Sequence, residues 1–92
     1  MRIAIISDIH SNIEALETSL NLIKQQSIDE IICLGDIVGY GANPNECINL
    51  IRQATPYVLI GNHDEAAIDL TKTEYFNPFA RIAAEWTNKE LT

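Results

Sequence analysis

The sequence predicts an α/β domain, in which a βαβαβ unit forms a mostly parallel sheet with flanking helices. Three short apolar runs, at residues 2–7, 31–34 and 57–60, are rich in branched side chains, as buried strands are. Segments with the apolar spacing of amphipathic helices lie between these runs. Strands that alternate with helices favour a parallel sheet with right-handed crossovers. In such sheets, sites form outside the carboxyl ends of the strands, where this chain carries polar clusters.

The first predicted strand, at residues 2–7, is followed by a polar loop and by a helix over about residues 12–26. Ser11 or Asn12 can cap this helix, and Glu14 lies in its first turn, where the helix dipole favours an anion. Apolar side chains recur at helical spacing, at Ile13, Leu16, Leu20 and Ile23. We expect this stripe to pack against the sheet.

The second strand, at residues 31–34, leads into a loop at 35–43 that contains three of the four glycines. This composition indicates unusual backbone angles or a close approach to another group. Asn43 and Pro44 are typical of a helix start, because a capping amide precedes a proline at the first helical position. The helix is predicted to run to about residue 54. Its inward or partly inward side chains are Cys47, Ile48, Leu50 and Ile51.

The signals weaken after the third strand at residues 57–60. Residues 65–70 are compatible with a helical turn. Asn77 and Pro78 repeat the combination of cap and proline, which predicts a final helix. The apolar stripe expected on that helix consists of Phe79, Ile82, Ala83 and Trp86.

Length and charge limit the possible functions. Ninety-two residues correspond to at most one small domain. The net charge is −7 and the six Lys and Arg residues are scattered singly, so no patch favours a nucleic-acid backbone or an anionic membrane. No apolar run approaches the roughly 20 residues that span a bilayer. The start of the chain lacks the features of a secretory signal, and we expect a cytoplasmic location.

The two cysteines, Cys33 and Cys47, are predicted to be buried free thiols. Cys33 lies within an apolar run and Cys47 within a predicted helix, and neither belongs to a C-x-x-C pair. A disulfide or a shared zinc ion is the alternative.

The first two polar clusters combine carboxylate and imidazole groups. Asp8 and His10 are two residues apart after the first strand, so in extended backbone their side chains project to the same side. Asp36 follows Gly35 at the end of the second strand, and its two oxygens can bridge two cations. Each cluster also has an ordinary interpretation: Asp8 as a helix cap with His10 in a surface loop, and Asp36 as a turn former.

The third cluster, Gly61-Asn62-His63-Asp64, is the densest. Asn62 offers a neutral oxygen ligand, and His63 can coordinate a metal or act as a general acid. Asp64 can orient the imidazole, although the cluster could also be a polar turn with Asn62 in a left-handed conformation. Oxygen and nitrogen ligands without thiolate suit first-row ions such as Mn, Fe or Zn. Bound cations would also reverse the local negative charge that otherwise disfavours a phosphate-bearing substrate.

The three motifs together resemble the calcineurin-like metallophosphoesterase superfamily. They are Asp8-Ile9-His10, Gly35-Asp36 and Gly61-Asn62-His63-Asp64, each after a predicted strand, with Gly39 and Gly41 able to supply the glycine that follows G-D in the family. The resemblance covers about residues 1–70 and is strongest to the small prokaryotic members.

The resemblance implies a binuclear site. Asp8 and His10 would bind the first metal ion, Asp36 would bridge both ions, and Asn62 would bind the second. His63 would lie near the leaving-group oxygen with support from Asp64. The implied cofactors are two divalent ions drawn from Mn, Fe, Zn and Ni. The implied reaction is hydrolysis of a phosphomonoester, phosphodiester or nucleotide by a metal-bound hydroxide, so the expected partner is a small phosphorylated substrate.

The chain is shorter than the family pattern requires. Family members have a four-layer αββα sandwich and further histidine ligands in a second half, whereas this chain has only His10 and His63. We therefore expect residues 1–92 to form one partial domain, the N-terminal half of that sandwich. Self-association through an open sheet edge or an uncovered apolar face is expected as well. The alternatives are a non-catalytic metal-binding or protein-interaction module of the same fold and an unrelated α/β domain with coincidental motifs.

Overall fold

The computed structural model describes residues 1–92 as two strands, four α-helices and one short 3-10 helix. The strands are β1 (Ile3–Ile6) and β2 (Glu30–Cys33). The helices are α1 (Ile13–Lys24), α2 (Pro44–Ala54), α3 (Asn62–Ile68) and α4 (Pro78–Glu90), with the 3-10 helix at Leu70–Thr73. None of the helices combines the length and the apolar character that crossing a bilayer requires.

The two strands confirm the predicted α/β class with parallel pairing. β1 and β2 are joined through α1 and pair in parallel, with Ile3 opposite Glu30 and Ile6 opposite Cys33. The pairing brings the carboxyl ends of both strands to the same edge of the sheet. The loops that carry the first two polar clusters therefore start side by side.

The third predicted strand, at residues 57–60, is wrong as a full strand. This segment makes a single parallel bridge to β2, between Cys33 and Val58. The Thr55 hydroxyl interrupts the pairing, because it donates to the Ile31 carbonyl and accepts from the Tyr57 amide at 3.0 Å. A parallel ladder in this register would join those two backbone groups directly. The hydroxyl satisfies both of them and stops the ladder after one bridge.

The helix caps follow the sequence signals with one exception. The Asn12 side chain accepts from the Ala15 amide at 3.1 Å, and Asn77 caps α4 in the same way. α2 has the predicted bounds, with Pro44 in its first turn. The Asn43 side chain, however, makes no cap hydrogen bond, because its amide nitrogen donates to the Glu46 carboxylate. The predicted capping role of Asn43 is therefore wrong, and the proline marks the helix start.

The core forms where α1 and α2 cover one face of the sheet. Its buried members are Leu16, Leu20, Cys33, Ile37, Val38, Cys47, Ile51 and Ala67. Both cysteines are buried free thiols, as predicted. Burial raises the pKa of the Cys47 thiol to about 11, and the nearby Glu46 carboxylate adds to the shift. Burial also raises the pKa of the Cys33 thiol, so neither thiol is ionised near neutral pH, in keeping with a packing role.

The predicted apolar stripe of α4 faces outward. The buried side chains of this helix are Ala80, Ala84 and Thr87, and α4 packs against α3 through them and through the buried Ala66 and Ala67. Small residues permit this close approach of two helices, whereas bulky ones would hold them apart. The larger side chains are consequently left exposed, namely Phe79, Ile82 and Trp86. The bulky members of the predicted stripe therefore lie on the exposed side of α4 and not in its contact with α3.

The second face of the sheet is also uncovered. Side chains alternate between faces along a strand, and those opposite the core are exposed. They are Ile3, Ile5, Leu34, Tyr57 and Leu59, with Ile5 at 64% and Leu59 at 60% exposure. An apolar sheet face of this kind is normally packed against another layer.

Candidate metal centre

Asp8, His10 and Asp36 converge at the carboxyl ends of the two paired strands. One ligand atom from each of them lies within 4.8 Å of the other two. Ligands held at about 2.1 Å from one ion lie roughly 3–4 Å apart, so a small closure would place all three around one cation. The donor set of two carboxylates and one imidazole suits a first-row divalent ion.

Backbone hydrogen bonds hold the two loops together beyond the strands. The His10 amide donates to the Asp36 carbonyl at 3.0 Å, and the Ser11 amide donates to the Ile37 carbonyl at 2.7 Å. Asp8, His10 and Asp36 all adopt left-handed backbone angles, with φ of 57°, 50° and 52°. Each such residue costs on the order of 1 kcal/mol, and strain of this kind clusters at functional sites. The concentration of three such residues in two adjoining loops is compatible with a functional site.

The His10 imidazole is oriented for coordination. Its Nδ1 lies 3.1 Å from the Val38 carbonyl oxygen, so the tautomer that donates from Nδ1 leaves the Nε2 lone pair free. Nε2 then faces Asp8 Oδ1 at 3.3 Å. Two acceptors at this distance are brought together by a proton or by a metal ion. This geometry fits a cation that both side chains bind.

The Asp8 carboxylate is held in its charged form. The Ser7 hydroxyl donates to Asp8 Oδ2 at 2.7 Å, and it lowers the pKa of Asp8 below its ordinary value of 3.8. The adjacent His10 acts in the same direction. A metal ligand must be deprotonated, and Asp8 meets this condition across the neutral range.

Asp36 links this group to the start of α3. Its Oδ1 accepts a hydrogen bond from the His63 amide at 2.9 Å. The carboxylate lies so close to Gly61 that a Cβ there would sit 2.6 Å from Asp36 Cγ. Gly61 therefore allows the chain after residues 57–60 to approach the loop at residues 35–43. The second Asp36 oxygen stays available to a ligand.

The His63 imidazole is enclosed by aromatic rings. Its centroid lies 4.9 Å from that of His10, 4.9 Å from that of Tyr40 and 4.8 Å from that of Phe76. Gly39 makes room for it, because a Cβ at that position would sit 2.9 Å from His63 Nδ1. Burial lowers the pKa of His63 below 6.5, and the neighbouring His10 adds to the shift. Nδ1 is buried and has no hydrogen-bond partner.

Asp64 makes its hydrogen bonds to backbone amides and not to the imidazole. Its Oδ1 accepts from the Val38 amide and its Oδ2 from the Gly61 amide, both at 3.0 Å. The carboxylate thereby ties the loop of residues 37–41 to the start of α3. The orienting contact with the His63 ring that the sequence suggested is absent, so Asp64 would support His63 through the backbone.

Asn62 is exposed at the first position of α3, directly before His63. The alternative interpretation of residues 61–64 as a polar turn is wrong, because residues 62–64 begin a helix that continues to Ile68. Coordination of a second ion by Asn62 stays a prediction.

Three groups that contact the two histidines are not predicted by the sequence. Tyr40 and Phe76 pack on His63, and the Val38 carbonyl orients His10. Tyr40 lies between Gly39 and Gly41 in the glycine-rich loop, which was a visible signal. Phe76 comes from the segment before α4 and carries no motif that would indicate its position. A backbone carbonyl leaves no trace in the sequence at all.

Comparisons with known proteins agree with the geometry. A family model described as calcineurin-like phosphoesterase matches residues 1–90. An uncharacterized protein of Methanocaldococcus jannaschii is 55% identical over 89 residues, which cover 97% of this chain and 37% of that protein. A crystal structure of a metallophosphoesterase from Sphaerobacter thermophilus matches with a TM-score of 0.78 and 47% identity, over 100% of this chain and 37% of that one. The chain thus spans little more than a third of the length of these relatives.

Proposed function

Because this chain belongs to the calcineurin-like phosphoesterase family, we propose that it contributes the N-terminal half of a binuclear metal site that hydrolyses phosphoesters. The convergence of Asp8, His10 and Asp36 carries this proposal. Two divalent ions at the site would supply positive charge for the phosphoryl oxygens and would acidify the attacking water.

Each residue of the site has a distinct task in this mechanism. Asp8 and His10 would hold the first ion, Asp36 would contribute to both ions, and Asn62 would hold the second. His63 would donate a hydrogen bond or a proton to the leaving-group oxygen, since its ring borders His10 and its amide bonds to Asp36. Asp64 keeps α3 and the preceding loop in register for that task.

The site has too few ligands for two ions within these 92 residues. Both histidines of the chain already have tasks, so the second ion would keep mainly Asp36 and Asn62. We propose that a longer polypeptide completes the site, because the relatives are far longer than this chain. The length of the encoding reading frame tests this point, and a frame that stops at residue 92 would contradict it.

The same shortage supports a second candidate function. A chain with three convergent ligands could bind one metal ion without turning over a substrate. It would then act as a metal-binding or protein-interaction module of the same fold. Metal binding is common to both candidates, so only turnover separates them.

Metal analysis combined with an activity assay distinguishes the two. We expect the natural protein to contain first-row metal and to hydrolyse a chromogenic phosphodiester, with stimulation by Mn²⁺, loss in EDTA and recovery after Mn²⁺ is restored. Bound metal without turnover of any phosphoester would favour the module. Absence of both metal and turnover would contradict the phosphoesterase and the metal-binding module.

The isolated 92-residue chain is expected to self-associate. Its sheet edge at β1 is unpaired, and the apolar side chains of the second sheet face are exposed, Ile5 and Leu59 most of all. Such edges and faces pair with further chains. Sedimentation velocity over a hundredfold concentration range should show growth in the mean mass. A sample that stays monomeric and unfolds cooperatively would contradict this expectation.

A further inference from the structure

Tyr40 is the aromatic phenol on the wall of the cleft beside Asp8 and His10. This cleft has a volume of about 520 Å³, within the range of small-molecule sites. The side chains that line it include Asp8, His10, Glu14 and Tyr40. None of the tasks assigned to the metal ligands uses the Tyr40 side chain.

The backbone holds Tyr40 in an unfavourable conformation. Its φ is 63°, in the left-handed region, which residues with a side chain rarely adopt. Glycines stand on both sides: Gly39 packs on the His63 ring, and a Cβ at Gly41 would sit 2.9 Å from the Ser11 carbonyl carbon. The Gly41 amide also donates to the His10 carbonyl at 3.0 Å. The loop is therefore fixed at both ends around a strained tyrosine.

The Tyr40 ring packs against both histidines and lines the same cleft as His10. The Tyr40 ring lies edge-on to His10, with centroids 5.2 Å apart and an interplanar angle of 78°. It is tilted against His63 by 44°. Tyr40 nevertheless remains 52% exposed. Its free surface borders the space next to the candidate metal ligands.

The charges of the cleft decide which part of a substrate this surface can accept. The lining includes the carboxylates of Asp8 and Glu14 and contains no lysine or arginine. Metal ions would neutralise the reacting phosphoryl group, but no cation on this wall would pair with further phosphates. The remaining space favours an uncharged group that is flat enough to pack on a phenol ring.

We propose that Tyr40 is a specificity-determining residue that stacks on an uncharged aromatic ring of the substrate. The substrate is then a phosphoester with a single phosphoryl group that carries an aryl group or a nucleobase, and not a polyphosphate. This specificity depends on the proposed phosphoesterase function and narrows it to a class of substrate.

Paired substrates test the stacking independently of overall activity. Benzyl phosphate and ethyl phosphate both release a primary alcohol, and they differ in the aromatic ring. A stacking contact of about 1–1.5 kcal/mol predicts a preference for benzyl of roughly 5- to 15-fold in kcat/KM. The ratio should survive in Tyr40→Phe and fall to near one in Tyr40→Leu. Because it is a ratio, a general loss of folded protein does not change it.

Matched controls and further substrates sharpen the test. Tyr57→Leu removes a tyrosine of equal exposure, 53%, on the far sheet face and should leave the ratio intact. AMP should be hydrolysed with a higher kcat/KM than ATP. The kcat/KM ratio of AMP to ribose 5-phosphate is then compared with the kcat/KM ratio of benzyl to ethyl phosphate. If the first ratio is larger, the natural ring is a nucleobase. If it is not, the natural ring is an aryl group. Equal rates on benzyl and ethyl phosphate, or preference for ATP, would overturn the stacking while leaving the phosphoesterase function intact.

A binding measurement covers the case of an inactive protein. With ¹³C-labelled tyrosine in the Zn²⁺-loaded protein, phenylphosphonate should shift the Tyr40 ring signals and methylphosphonate should not. Absence of turnover together with this shift would contradict the proposed function and support the stacking site. Ring signals that respond equally to both phosphonates would overturn the stacking itself.

Discussion

Asp36→Asn is expected to lower kcat/KM for phosphoester hydrolysis by at least about 100-fold, which is about 2.7 kcal/mol of transition-state stabilisation. The substitution removes the negative charge that would bridge two cations. In typical sites, loss of a group that hydrogen-bonds to a metal ligand weakens metal binding 10- to 100-fold. Loss of the charge on the ligand itself should weaken metal binding by at least the same factor. Metal content by mass spectrometry should therefore fall in parallel with the rate.

The structure separates this effect from a loss of folding. Asp36 Oδ1 accepts the His63 amide, and an asparagine oxygen can accept the same hydrogen bond. We thus expect the free energy of unfolding of the metal-free protein to change by less than about 1 kcal/mol. Unfolding in urea, with and without metal, measures this directly. A variant that unfolds at much lower urea would mean that the carboxylate is structural.

Asp69→Asn provides the matched control. Asp69 is an exposed carboxylate that accepts hydrogen bonds from the Thr71 amide and hydroxyl, in a segment that contributes no ligand. The same change of charge there should leave metal content and rate unaltered. The bridging role of Asp36 is wrong if Asp36→Asn, like Asp69→Asn, retains both ions and full activity.

The convergence of the candidate ligands could be predicted from the sequence because it depends on residue type and order. Asp8, His10 and Asp36 follow strands whose parallel pairing brings their ends together, and short apolar runs rich in branched side chains predict those strands. The same logic located α1 and the bounds of α2, since capping and proline rules act within a few residues. Rules that act over a few residues are therefore enough to predict the positions of the candidate ligands that follow strand ends.

The structure departs from the sequence pattern where one side chain decides which of two possible contacts is made. The Thr55 hydroxyl takes the place of a ladder hydrogen bond, and no strand propensity encodes that choice. α4 turns its alanines inward because they allow close packing on α3, so the bulky stripe that dominates its pattern is exposed. Asp64 finds the Val38 amide in a loop 26 residues away in the chain, a partner that only the folded chain brings near.

Gly35→Ala is expected to destabilise the protein by about 3 kcal/mol or more, because two penalties add. Gly35 has a φ of 107°, which side chains rarely adopt. A Cβ at this position would overlap the Gly61 backbone amide and would sit 2.9 Å from Gly61 Cα. Since these neighbours are backbone atoms, no side chain can move aside to relieve the contact.

The consequence would reach the metal centre as well as stability. Gly35 and Gly61 allow the loop at residues 35–43 to contact the start of α3. At this contact Asp36 accepts a hydrogen bond from the His63 amide. Forcing the two segments apart should break that hydrogen bond and weaken metal binding even in the fraction that stays folded. Equilibrium unfolding in urea and metal titration of the folded fraction measure the two effects separately.

Ser27→Gly provides a comparison of opposite sign. Ser27 also has a left-handed φ, of 55°, but it lies in an exposed turn between α1 and β2. Glycine there should relieve the strained angle and change stability by no more than about 1 kcal/mol, towards greater stability. A loss below about 1 kcal/mol for Gly35→Ala would show that the contact between Gly35 and Gly61 is not the close approach on which the site depends.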